Sequence, residues 1–166
     1  MKIVRYLPLA TSPIAALSVF NVYRRSFGIE LRGWMAQAAT LFESIVHGVL
    51  NFGPETATGW HPPTFLSDLW VISFWWTGVL TFGTVQAIKD KGAPTPWLSH
   101  VAMIPNRIFV GYSLIGFFLA AATVPITFAR LKTGDDDLDR YGHWVRVYTV
   151  SGVVFVAIFF LLNHFA

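Results

Sequence analysis

Glu43 and His47 stand one helical turn apart in an otherwise largely apolar stretch, Trp34 to Phe52. A carboxylate beside an imidazole can relay a proton or hold a cation, and ionisable groups at membrane depth are costly enough to need a reason. The pair belongs to a longer line. Gln37, Thr40, Ser44, His47 and Asn51 follow one another in steps of three and four, so with Glu43 they share one side of a helix. Met35, Ala38, Leu41, Phe42, Ile45 and Val49 fall on the other side. Three readings compete. The preferred one is a seam that hydrogen-bonds to neighbouring helices or to a partner subunit. The second is a helix lying flat at the membrane surface. The third is a cavity for proton or ion transfer.

Other polar groups are weaker candidates. Glu55, His61 and Asp68 have the chemistry of a metal or proton site, but Asp68 opens an apolar segment, where a carboxylate or a nearby hydroxyl caps the helix and meets its dipole. Asp135, Asp137 and Asp139 alternate as in a calcium loop. Arg140 occupies the place of the required glycine and Arg146 that of the closing glutamate, so the run reads as a solvated loop able to meet a partner electrostatically. Of the histidines His47, His61, His100, His143 and His164, His47 alone lies well inside an apolar run, which disfavours a bis-histidine haem. The chain has no cysteine, which removes covalent haem, thiolate metal sites, disulfides and cysteine nucleophiles. No metal and no cofactor is expected. Trp75 and Trp76, mid-way along the next apolar segment, are the place where a lipid, a quinone, a pigment or a partner would pack, with aromatic bulk as the simpler reading.

What must position these groups is a membrane fold. Only 13% of residues are charged and 54% are hydrophobic, against about 25% charged in soluble domains. A spanning helix needs about 20 apolar residues. Leu66–Ile88, Ile108–Ala129 and Trp144–Phe165 meet this well, and the more polar Trp34–Phe52 is long enough. The expected fold is therefore an all-α, single-domain, four-helix transmembrane bundle, with spans at 34–52, 66–88, 108–129 and 144–165. Residues 1–33 would form an N-terminal interfacial or re-entrant segment, because Pro13 should interrupt a helix over 7–23. Five spans is the alternative. A signal peptide is disfavoured by Pro8, Pro13 and the missing small-residue cleavage site. Trp34, Trp60, Trp97 and Trp144 lie near the expected membrane boundaries.

Charge gives a direction. With four spans, one side carries Lys2, Arg5, Arg24, Arg25, Arg32, Lys89, Lys91 and Arg107, and the other carries Arg130, Lys132 and Arg140. The positive-inside rule then places both termini in the cytoplasm, with a bacterial inner membrane as the expected location.

Packing signals are also visible. Ser113, Gly116, Ala120, Thr123 and Thr127 make a small-residue stripe on the third span, and Ser73, Thr77, Thr81 and Thr84 a weaker one on the second. Such stripes let membrane helices approach closely, so the two should mark contacts inside the bundle. Pro125 should bend the third span near its end. With no reaction motif and no soluble part large enough for a catalytic domain, the expected function is a non-catalytic accessory or structural subunit of a larger membrane complex. Its partners would be membrane lipids and other membrane subunits or further copies of itself, and the small charge excess gives no argument for nucleic acid. The alternative is a small oligomeric ion or proton transporter using Glu43 and His47.

Overall fold

The computed structural model describes residues 6–91, 104–128 and 135–166. The described residues are helical between turns, and no strand occurs among them. The helices are α1 (Leu7–Phe27), α2 (Gly33–Phe42), α3 (Gly48–Thr58), α4 (Thr64–Asp90), α5 (Ile104–Tyr112), α6 (Ile115–Phe128) and α7 (Asp136–Phe165). A π-helical turn, Glu43–His47, joins α2 to α3 without a break.

The N-terminal segment departs from expectation. It is one helix of 21 residues that runs through Pro13, about 31 Å long, so it does not turn back on itself. Pro8 sits in its first turn, where the missing N–H costs nothing. Pro13 takes a donor away from the Leu9 carbonyl. Ser12 Oγ (2.7 Å) and Trp75 Nε1 (3.3 Å) both donate to the neighbouring Pro8 carbonyl, and the Trp75 bond ties this stretch of α1 to α4. The helix ends at Gly28, whose φ of 66° supplies the left-handed cap.

Pairwise contacts fix the directions. α1 and α7 are parallel: Ser12 meets Ser151 at 2.6 Å, and Phe20 packs edge-on against Phe160. α4 is antiparallel to both, since Trp75 lies against Gly152, Gly83 against Tyr141 and Val145, and Asp68 beside Arg25. The core at their junction is Trp76, Val79, Trp144, Val145 and Tyr148, with Trp76 and Tyr148 fully enclosed.

The expected third span is two helices. Leu114 adopts φ 63°, a left-handed conformation that costs a non-glycine residue, and the chain turns sharply there. The disrupted turn leaves carbonyls open, and α4 supplies donors: Trp70 Nε1 to Tyr112 O at 3.0 Å and Ser73 Oγ to Val110 O at 3.3 Å. Beyond the turn α6 runs parallel to α4. A side chain at Gly116 would collide with Ser73 and Thr77, so the two small-residue stripes meet there, and Ala120 and Val124 continue onto the core. Ser113 sits in the turn and is exposed, Thr123 bonds back to Leu119 O, and the side chain of Thr127 lies outside the described residues, as does that of Pro125.

The segment expected as the first span runs across the bundle instead of along it. Gly33 touches Ala166, Glu43 meets Arg24 and Arg25, His47 meets Asp68, Asn51 meets Ser67, and Gly53 lies by the Tyr112 hydroxyl. From Gly33 to Gly53 the helix advances about 30 Å. Its partners nevertheless lie where α1, α5 and α7 end and where α4 begins. Two helices, Thr64–Ile88 and Leu138–Phe165, are long and apolar enough to cross a membrane, and Ile115–Val124 is a shorter apolar helix.

Gly116→Leu should force α6 away from α4 and lower stability by about 2 kcal/mol, a typical cost of overpacking. Gly48 has open space around it, so Gly48→Ala should stabilise by about 0.5–1 kcal/mol through helix propensity. Detergent-denaturation curves of the two variants against the parent measure both. A Gly116→Leu protein as stable as the parent would contradict the α4–α6 contact.

Candidate functional site

The polar centre of the molecule is built from three elements at one end of the bundle. α1 ends in Arg24 and Arg25, the π turn carries Glu43 and His47, and α4 opens with Ser67 and Asp68. Strict four-residue spacing drifts around an α-helix, because a turn takes 3.6 residues. A π turn closes its bonds one residue later and absorbs that drift. As a result Met35, Ala39 and His47 are buried on one side, with Glu43 and Asn51 partly covered beside them. Gln37, Thr40 and Ser44 face outwards, where Thr40 and Ser44 bond only to the preceding turn. The six-residue seam is thus divided: the structure brings Glu43, His47 and Asn51 to the bundle and leaves the other three outside. The apolar residues Leu41, Ile45 and Val49 are exposed too.

Asp68 is the focus of the site. It is completely enclosed, and its carboxylate accepts from Arg25 through one oxygen and from His47 Nε2, at 3.0 Å, through the other. It lies one turn inside α4 and does not cap that helix, in contrast to the capping role expected for it. Arg25 also donates to Glu43, and Arg24 donates to Glu43 at 3.2 Å while its Nε holds Asn21 Oδ1 at 3.0 Å. Ser67 Oγ donates to Asn51 Oδ1 at 2.8 Å and closes the far side. Two guanidinium groups face two carboxylates, so the charges balance. Each group bridges different helices, and the arrangement works as a clamp. His47 Nδ1 is buried with no hydrogen-bond partner.

Glu43 and His47 do not pair with each other. Their partners Arg24, Arg25 and Asp68 were missed because the arginines read as topogenic charges flanking a membrane segment. The signal was there: two acidic residues inside apolar runs need cations, and Arg24-Arg25 is the adjacent basic pair nearest in sequence to Glu43.

The remaining candidates are dispersed. His61 and Glu55 approach at 3.2 Å on the exposed surface, away from the enclosed Asp68, and among the described residues no group of three His, Asp or Glu side chains is placed to hold a metal. Asp135 Oδ1 accepts from the Leu138 amide at the start of α7, a helix-start role for the acidic run. His100 lies outside the described residues, and His143 and His164 are exposed. Trp76 is part of the core. Trp75 is half-buried and lines an apolar cavity of about 390 Å³ between α1, the π turn with α3, and α4.

Removing Asp68 leaves Arg25 and His47 without their shared anion. Asp68→Leu should therefore destabilise by about 3 kcal/mol or more, the cost of breaking a buried pair. Glu43 is a quarter exposed, so Glu43→Gln should cost about 1 kcal/mol or less. Denaturation midpoints followed by tryptophan emission test the order. Equal effects would contradict a clamp centred on Asp68.

Comparison of the chain with protein-family models, with curated proteins and with solved structures gave no match, so the reading of this site rests on its own geometry.

Proposed function

We propose that the chain is a multi-pass integral membrane protein that serves as a non-catalytic structural subunit of a membrane assembly. In this reading α1, α4 and α7 cross the bilayer, α6 returns within it, and the α2–α3 helix lies along one membrane surface. One observation carries the proposal: the ionisable groups of the site are consumed by one another across three helices, while broad outer faces are apolar. On α7, Val150, Val153, Val154, Ile158 and Leu161 are exposed, as are Phe118 and Leu119 on α6. Such faces suit lipid tails or neighbouring membrane helices. The two long apolar helices agree with membrane location.

The helix directions also redistribute the charge. Arg24, Arg25 and Arg32 belong to the end where α1 stops and α4 starts. Lys89, Lys91 and Arg140 belong to the other end; Lys2 and Arg5 precede α1, and Arg130 and Lys132 stand between α6 and α7 in sequence. Arg24 and Arg25 are also neutralised by Glu43 and Asp68. The positive-inside rule then favours the second end as cytoplasmic. On this reading the N-terminus lies inside and the C-terminus on the opposite face, whereas four spans would put both termini in the cytoplasm.

Extraction from native membranes in mild detergent, followed by sizing, tests the proposal. The protein should resist alkaline wash and migrate with other subunits. Release by the wash would remove membrane integration, and migration as a bare monomer would remove the subunit role. A second reading, proton or ion transfer through Glu43 and His47, is favoured by the unpartnered buried Nδ1 of His47. Proton flux into liposomes that is lowered by Glu43→Gln and His47→Ala would establish it, and a parent protein without flux would eliminate it.

A further inference from the structure

The apolar cavity beside Trp75 has a volume of about 390 Å³, inside the range of about 300–1,000 Å³ typical of ligand sites. Its walls are α1 between Pro8 and Ala15 and α4 between Val71 and Phe82, and the crossing helix closes one end at Val46 and Val49. The shape is a groove along the bundle. From Val71 to Phe82, α4 advances about 16 Å, close to half of a hydrocarbon core about 30 Å thick. Its rim residues Ile14, Ile45 and Val49 are exposed, so it opens sideways onto the apolar exterior.

The lining also says what kind of molecule fits. Its polar side-chain groups are Thr11 Oγ1 and Trp75 Nε1, and both already donate to the Pro8 carbonyl, at 3.3 Å each. No side-chain donor is left for a quinone carbonyl or a pigment's polar ring. A hydrocarbon chain makes no such demand. Gly78 keeps the floor open: a side chain added there would meet nothing within 4 Å.

We propose that this groove holds one acyl chain of a membrane phospholipid, drawn from the leaflet whose surface the α2–α3 helix marks. The proposal rests on the membrane reading above. It gives Trp75 a role: its ring forms the wall against which the chain lies, with the indole nitrogen occupied by the Pro8 carbonyl.

The test uses the full chain in vesicles of dioleoyl phosphatidylcholine or of its analogue with dibrominated acyl chains, since bromine quenches tryptophan on contact. The Trp75 share of emission is the difference between the parent and Trp75→Phe. That share should be quenched in brominated vesicles, and the quenching should be lost in Gly78→Leu, which fills the groove. Circular dichroism and sizing confirm that both variants are folded, and the comparison with Trp75→Phe stands without Gly78→Leu. If the Trp75 share is unquenched while other tryptophans respond, the groove proposal is overturned and the membrane reading survives. If no tryptophan responds, both fall. If trace isoprenoid quinone in unbrominated vesicles quenches the Trp75 share, the occupant is a quinone and the acyl-chain assignment is wrong.

Discussion

Asp68 is a charge with no access to solvent, one turn inside an apolar helix. A buried carboxylate is tolerable only when cations and donors replace its water, and this requirement organises one whole end of the molecule. Arg25 has to reach Asp68, which sets where α1 stops against the start of α4. His47 has to reach it too, which holds the middle of the α2–α3 helix over that junction. Arg25 carries a second carboxylate, Glu43, and Arg24 shares it. A helix that would otherwise be free to lie along the bundle or detach from it is thereby pinned across its end.

The same accounting explains the irregular backbone. Inside an apolar environment each open carbonyl costs free energy unless a donor finds it. Pro54 removes the amide that would bond Leu50 O, and the Tyr112 hydroxyl donates to that carbonyl at 2.6 Å. The turn at Ser113–Leu114 opens Tyr112 O and Val110 O, and Trp70 and Ser73 donate to them. Tyr112 therefore serves as both donor and recipient: its side chain supports α3 and its carbonyl is supported by α4. Pro54 and the left-handed Leu114 are linked through this one residue.

Much of the fold was legible from residue types. The apolar runs of α4 and α7 follow from composition and length, and the close approach at Gly116 follows from the stripe of small residues facing Ser73 and Thr77. Proline was over-read: Pro13 counted as a helix breaker, although the packed helix keeps its course through it. The π turn was invisible, since spacing rules assume a constant 3.6-residue turn. It turns His47 onto the side that carries the buried Met35 and Ala39, away from the exposed Gln37, Thr40 and Ser44. The ion pairs span 18 to 43 positions of sequence, so no local pattern could join them. The need to pair buried charges could have: two acidic residues in apolar surroundings imply cations close by in space.

The central claim is that the clamp holds the α2–α3 helix across one end of the bundle; with the proposed membrane placement, both its ends then lie on one side of the membrane. The absence of cysteine makes this directly measurable with the exposed positions Arg32→Cys, Thr58→Cys and Lys91→Cys, one at a time, in sealed vesicles of known orientation. A membrane-impermeant maleimide should label positions 32 and 58 from the same side and position 91 from the other. Labelling of 32 and 58 from opposite sides would show that the segment crosses the membrane and would contradict the account.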